Sequence, residues 1–88
     1  MGRKILLITT DQQRHDALGC TGGGVARTPA IDALASSGLN FRRARNQCTV
    51  CMPGRATILT GQYIGSHGVT SNGIPLPVDA PNLAAYLN

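Results

Sequence analysis

The sequence has no tryptophan, and Phe41, Tyr63 and Tyr86 are its only aromatic residues, 3% of an 88-residue chain. It carries 11 glycines and 5 prolines, which add backbone ordering cost without matching apolar area. A single domain this short buries only about 60–65% of the surface its unfolded chain exposes. That excludes a self-sufficient miniprotein; the chain reads as a piece of something larger. Charged residues are also scarce, at 14%, and apolar segments with clear periodicity are present, which excludes a disordered segment. Three cysteines are an odd number and too few for a disulfide framework.

Long apolar runs are missing as well. Ile5-Leu6-Leu7-Ile8, behind the basic Met1-Gly2-Arg3-Lys4, is too short for a signal peptide and far too short to span a bilayer. As written, the chain is expected in the cytoplasm with no membrane partner. No G-x-G-x-x-G follows the first apolar run directly, and no P-loop motif occurs.

Acidic residues number four against eight Lys and Arg, for a net charge of +4. Seven of the eight cations are Arg, whose planar fork suits bidentate binding of oxyanions. Arg42, Arg43 and Arg45 would be the patch of a non-catalytic, basic nucleic-acid-binding module. No aromatic residue interleaves them and no reader motif surrounds them, so no nucleic-acid partner is expected.

The continuous run Ile5 to Ile8 has the pattern of a strand buried on both faces in a parallel sheet. Asp11 follows its carboxyl end, where open α/β sheets bind ligands. Residues 14–18 form a short helical turn closed by Gly19, and Gly22-Gly23-Gly24 is a surface loop. Thr28-Pro29 is an N-cap with proline at the first helical position; Ile31, Leu34 and Ala35 share one face, and Gly38 supplies the stop. Leu39 to Ala44 completes a strand–helix–strand outline. After a polar turn over 45–52, Pro53 opens a helix running to Thr60 and stopped by Gly61. Residues 64–81 are loop-rich, and Asn82 to Leu87 begins one more helix.

The stretch Cys51-Met52-Pro53-Gly54-Arg55 carries the chemistry. Cys51 falls at or just before a helix N-terminus, where orphan N–H groups and the helix dipole favour an anion. Arg55 is one turn on and shares its face. A cation in a first helical turn is unfavourable by up to about 1 kcal/mol, a conflict that an anion bound beside the guanidinium removes. The pattern is that of an oxyanion site next to a reactive side chain; a structural Cys beside a surface Arg fits the spacing equally. Cys48 and Cys51 form a C-x-x-C, which opens a zinc or redox reading. Only Cys20, His15 and His67 remain to complete a zinc site, none at paired spacing, and a redox pair belongs soon after a first strand.

Cys51-x-Pro53-x-Arg55 with Leu59-Thr60-Gly61 resembles the signature of the sulfatases, the formylglycine-dependent branch of the alkaline phosphatase superfamily. The resemblance extends upstream through Leu6 to Arg14 with Asp16-Ala17-Leu18-Gly19, and through Thr28 to Ala35 with Gly38 and Phe41. Downstream it runs from Gly61-Gln62-Tyr63 to His67-Gly68-Val69. It covers nearly the whole chain, in order and at family spacing.

The resemblance implies an α/β fold, with residues 1–88 as the N-terminal portion of a catalytic domain whose mixed, mainly parallel sheet is flanked by helices. It implies oxidation of Cys51 to formylglycine by a formylglycine-generating enzyme and a divalent metal, usually Ca²⁺, with Mg²⁺ and Mn²⁺ as alternatives. One hydroxyl of the hydrated aldehyde attacks the sulfur of a sulfate monoester; the other helps expel sulfate as the aldehyde reforms. Carried over by position, Asp11 is a metal ligand, Cys51 is both nucleophile precursor and ligand, and Arg55 holds the developing negative charge. Gln12 stands where many members carry a second Asp; it offers a neutral carbonyl oxygen, so its ligand role comes with one negative charge fewer. Gly54 stands where Ser or Ala is usual. Cys20, Cys48, His15 and His67 match no catalytic role and read as packing or loop residues. The other metal ligands and a Lys–His pair come later in family members, so these 88 residues are expected to need the remainder of the parent chain for turnover. A phosphonate monoester or phosphodiester hydrolase of the same superfamily shares the nucleophile and is the alternative activity.

Overall fold

Every regular element among the described residues is helical. The computed structural model describes residues 2–88; Met1, part of the basic terminus considered above, lies outside them. The chain divides into two units, one ending at Arg43 and one comprising Ala44–Asn88.

In the first unit, short 3-10 turns form at His15–Ala17 and Gly19–Thr21, and α1 spans Pro29–Ser37. Proline at the first helical position forfeits no bond, because the first N–H groups of a helix have no intrahelical acceptor. Thr28 occupies the N-cap position as expected, but its hydroxyl does not cap the helix. Instead it donates to Asp32 Oδ1 at 2.8 Å and accepts from the Gly19 N–H at 2.9 Å. Asp32 Oδ1 also accepts from the Cys20 N–H at 2.8 Å, which ties the second 3-10 turn to the first turn of α1. A carboxylate there is favourable against the helix dipole. Gly38 ends the helix by donating its N–H to the Leu34 carbonyl at 3.0 Å.

The two expected strands are corrected: among the described residues, neither 5–8 nor 39–44 is a strand. A strand persists only where its N–H and C=O groups find a neighbouring ladder, and an apolar run becomes one only where both faces are covered. Here Leu6 is 83% and Ile8 73% exposed. The expected inward face of α1 is corrected for the same reason. With no sheet layer against it, Ile31 and Leu34 are exposed and Ala35 is half-buried.

In the second unit, α2 spans Cys51–Thr60, α3 Ile64–His67 and α4 Leu83–Leu87; α2 packs against both of the others. Pro53 does not open α2, which starts two residues earlier at Cys51. Proline is tolerated at the third position because no donor is needed in the first turn. Gly61 closes α2 in the left-handed region (φ 68°), donating its N–H to the Thr57 carbonyl at 2.9 Å. The single turn α3 lies in the segment read as loop and contains Gly65, a poor helix former. It is held by packing: His67 at its end is buried, together with Pro53, Ala56 and Val69. Burying Val69, 2% exposed, contributes about 1.5–3 kcal/mol. At α4, the Asn82 side chain accepts from the Ala85 N–H at 3.0 Å and caps the helix.

Candidate active site

Cys51 is the first residue of α2, and Arg55 lies one turn further along the same helix. Residues four apart share a helix face, so the structure brings this expected pair together on the exposed side of α2.

The backbone donors around Cys51 have separate acceptors. The N-cap residue Val50 has no side chain able to cap, and its own N–H is directed at Cys48 Sγ, 3.4 Å away. The Met52 N–H donates to Asn72 Oδ1 at 2.9 Å, across 20 residues of sequence. Pro53 has no donor, and the Gly54 N–H makes the first helical bond, to the Val50 carbonyl at 3.1 Å. On the other flank, Asn46 Nδ2 donates to the Gly54 carbonyl at 3.2 Å while Asn46 Oδ1 accepts from the Cys48 N–H at 3.2 Å. The turn before Cys51 is thereby bound to the turn after it. Gly54 leaves room for this approach, since a Cβ there would sit 3.0 Å from the Cys48 carbonyl oxygen and 3.2 Å from Asn46 Nδ2, close enough that the 46–48 turn would have to give slightly.

Cys48 and His67 are structural, as the sequence suggested. Cys48 serves as the acceptor for Val50, and His67 is buried with both ring nitrogens engaged, by Thr57 Oγ1 at 3.0 Å and the Val69 N–H at 3.1 Å. Asn46 and Asn72 were not legible as contributors. Their signal was only the turn-forming chemistry of Asn, and nothing in the spacing links either to Cys51.

Asp11 and Gln12 lie in the first unit, consecutive and exposed in a bend. Gln12 has φ 54°, and no other described residue except glycine has a positive φ. A non-glycine side chain held in this sparsely populated region costs of order 1 kcal/mol, and such positions cluster at functional sites. Just beyond, Arg14 clasps Asp16 in a two-pronged pair, Nε to Oδ1 at 2.9 Å and Nη2 to Oδ2 at 2.7 Å. Hydrogen bonding to Arg14 holds the Asp16 carboxyl below its ordinary value, and the same bond raises the Arg14 guanidinium.

For a hard divalent cation, the Asp11 carboxylate and the Gln12 carbonyl oxygen are donors of the right kind. They are too few by themselves: among the described residues, no group of three or more His, Cys, Asp or Glu side chains could hold a metal ion. No helix of the described residues is long and apolar enough to cross a membrane.

The family model described as Sulfatase matches residues 3–88. The chain is 44% identical over 73 residues to an ulvan-active sulfatase of Formosa agariphila, covering 83% of this chain and 14% of that protein. It is 43% identical over 68 residues to an arylsulfatase of Clostridium perfringens, covering 77% of this chain and 14% of that protein. A multifunctional alkaline phosphatase superfamily protein of Trinickia caryophylli is 36% identical over 90 residues, 97% of this chain and 18% of that protein. The chain therefore spans about a seventh of the length of the first two relatives. No solved structure matches it.

Proposed function

The chain belongs to the sulfatase family, and from that premise we propose that it supplies the nucleophile and the oxyanion-binding arginine of a sulfuric ester hydrolase. The observation that carries this is the placement of Cys51 at the first position of α2 with Arg55 one turn on, inside a family match over residues 3–88. The alkaline-phosphatase-like α/β architecture is proposed for the complete protein, in which residues 5–8 and 39–44 would find neighbouring strands.

Each residue has its own task. Cys51 is the substrate of a formylglycine-generating enzyme, with Pro53 and Arg55 as the fixed positions of the modification motif. When formed, the hydrated aldehyde supplies one hydroxyl to attack sulfur and a second to expel sulfate, which an unmodified thiol cannot do. Arg55 presents a permanently charged guanidinium to the negative charge that grows on the sulfuryl oxygens, assisted by the positive end of the α2 dipole. Asp11 and Gln12 would hold a divalent metal, with Ca²⁺ the best match to one anionic and one neutral hard oxygen; such an ion would supply Lewis-acid charge neutralisation. The substrate class is sulfate monoesters. A second reading is phosphonate monoester or phosphodiester hydrolysis by the same nucleophile; one relative is named only as a multifunctional alkaline phosphatase superfamily protein.

The test uses the full chain as its gene encodes it, co-expressed with a formylglycine-generating enzyme. Mass analysis is expected to find the aldehyde at Cys51, and Cys51→Ala to abolish hydrolysis of an aryl sulfate. Arg55→Ala is expected to lower kcat by about 10²–10³-fold. Turnover of a phosphonate monoester or phosphodiester exceeding that of the sulfate would transfer the assignment to the second reading. Undiminished sulfate turnover by Cys51→Ala would overturn both.

A further inference from the structure

We infer that Asn72 is a positioning residue for Cys51; the inference rests on the reading of Cys51 as source of the nucleophile. Helix α2 lacks a cap of its own: Val50 occupies the position that Ser, Thr, Asp or Asn normally fills. Asn72 delivers the missing interaction from 20 residues downstream, its Oδ1 accepting the Met52 N–H at 2.9 Å. The following residue adds a second contact to Met52, this time to its side chain, the Gly73 N–H lying 3.1 Å from Met52 Sδ. The φ of 91° at Gly73 is one that only glycine adopts without strain, so the turn is built to bring Asn72 and Gly73 to Met52 together.

The bond matters for Cys51 because a peptide unit is planar. The Met52 N–H and the Cα of Cys51 belong to one such plane, so a fixed acceptor for that N–H fixes the plane from which the Cys51 side chain departs. Without Asn72, the plane keeps only the helical engagement of its carbonyl and can tilt toward water, and the Cys51 Cβ direction tilts with it. A nucleophile displaced by a fraction of an ångström loses rate, not substrate affinity.

The experiment measures kcat and KM for an aryl sulfate in the full chain, per mole of aldehyde determined by mass analysis. Asn72→Leu, similar in size but without an acceptor, is expected to lower kcat by about tenfold with KM changed less than about twofold. Asn72→Asp, which keeps the oxygen, is expected to restore kcat to within about twofold of the native value. Deuterium exchange at the Met52 amide should quicken in Asn72→Leu and not in Asn72→Asp. If Asn72→Leu fails to fold, Asn72→Gln replaces it, since one added methylene displaces the oxygen, and the same loss is expected. Native kcat in the acceptor-free or displaced variant, or equal loss in Asn72→Asp, overturns the role of Asn72 while Cys51→Ala remains inactive. An active Cys51→Ala instead overturns the reading on which the inference rests.

Discussion

The Thr57 hydroxyl lies 3.0 Å from Nε2 of the buried His67, and this bond fastens α3 to the middle of α2. The Val69 N–H donates to His67 Nδ1 at 3.1 Å, so Nδ1 holds a lone pair and Nε2 carries the ring proton given to Thr57. With Asn46 on the Gly54 carbonyl and Asn72 on the Met52 N–H, α2 is held at three places along its length. The helix that carries Cys51 and Arg55 is thus fixed by polar contacts at its start, middle and first turn, beside the few buried apolar residues of the unit.

The Thr57–His67 bond is expected to contribute measurably to stability. Thr57→Val should lower the unfolding free energy of the full chain by about 1 kcal/mol, the usual net worth of one hydrogen bond. His67→Ala should cost about 2–4 kcal/mol, because it leaves a cavity and an unpaired Val69 N–H. Denaturant titration of both single variants and the double variant should give a coupling of about 0.5–2 kcal/mol. Strict additivity would show that the two side chains do not interact.

The C-x-x-C cysteines are expected to behave unequally. Relative to Cys51, Pro53 and Arg55 stand two and four residues on; relative to Cys48, those positions hold Val50 and Met52. Cys48 acts as the acceptor for the Val50 N–H, a task a serine oxygen can take over. Cys48→Ser should therefore change turnover at most a few-fold, consistent with roughly 1 kcal/mol of local packing, with an unmodified thiol at Cys48 in the native chain. A zinc or redox pair would make both cysteines about equally sensitive, so equal loss without any aldehyde would revive that reading.

Gly54 is expected to tolerate one methyl group and little more. Alanine gains about 1 kcal/mol of helix propensity, but its Cβ would stand 3.0 Å from the Cys48 carbonyl, so the two effects nearly cancel. Gly54→Val, with branching on the same Cβ, should lose about 1–3 kcal/mol as the 46–48 turn is pushed away. Thermal unfolding of both variants checks this; equal stability would mean that the turn yields freely.

Legibility in the sequence followed how local each determinant is. The α2 motif, the Thr28-Pro29 start, the stop at Gly61 and the last helix, read from Asn82 and observed from Leu83 with Asn82 as its cap, are written within a few residues, and the structure contains each element. The start of α2 was displaced because Pro53 is permitted anywhere in a first turn, not only at its opening. The strands at 5–8 and 39–44 were legible only as apolar runs, and a run becomes a strand through partners elsewhere in a chain. Asn46, Asn72 and His67 act across sequence separations of 8, 20 and 10 residues, which no local pattern encodes.

The Arg14–Asp16 pair gives a pH signature next to Asp11 and Gln12. The Asp16 carboxyl is lowered by its bond to Arg14, so the pair's contribution is complete above the ordinary Asp value and fades as pH falls through the lowered one. Both side chains are exposed, so the expected effect on overall stability is small. Carboxyl-detected NMR titration of the full chain should show Asp16 ionising below the ordinary Asp value, and Arg14→Gln should return it toward that value. An unchanged Asp16 titration in Arg14→Gln would show that the pair does not persist in solution.

Gln12 allows strain and function to be separated in one substitution. Its φ of 54° costs a non-glycine residue of order 1 kcal/mol, and glycine relieves that cost. Glycine also enlarges the entropy of the unfolded chain by about 0.5–1 kcal/mol, so Gln12→Gly should leave the melting temperature nearly unchanged. It nonetheless removes the carbonyl oxygen assigned to a divalent cation. Calorimetric titration of the full chain with Ca²⁺ should therefore show weaker binding for Gln12→Gly at unchanged stability. Gln12→Asp, which restores the negative charge usual at this position, should bind more tightly than native. If Ca²⁺ affinity is the same in all three proteins, Gln12 holds its conformation for a reason other than metal binding, and the ligand assignment at this position fails.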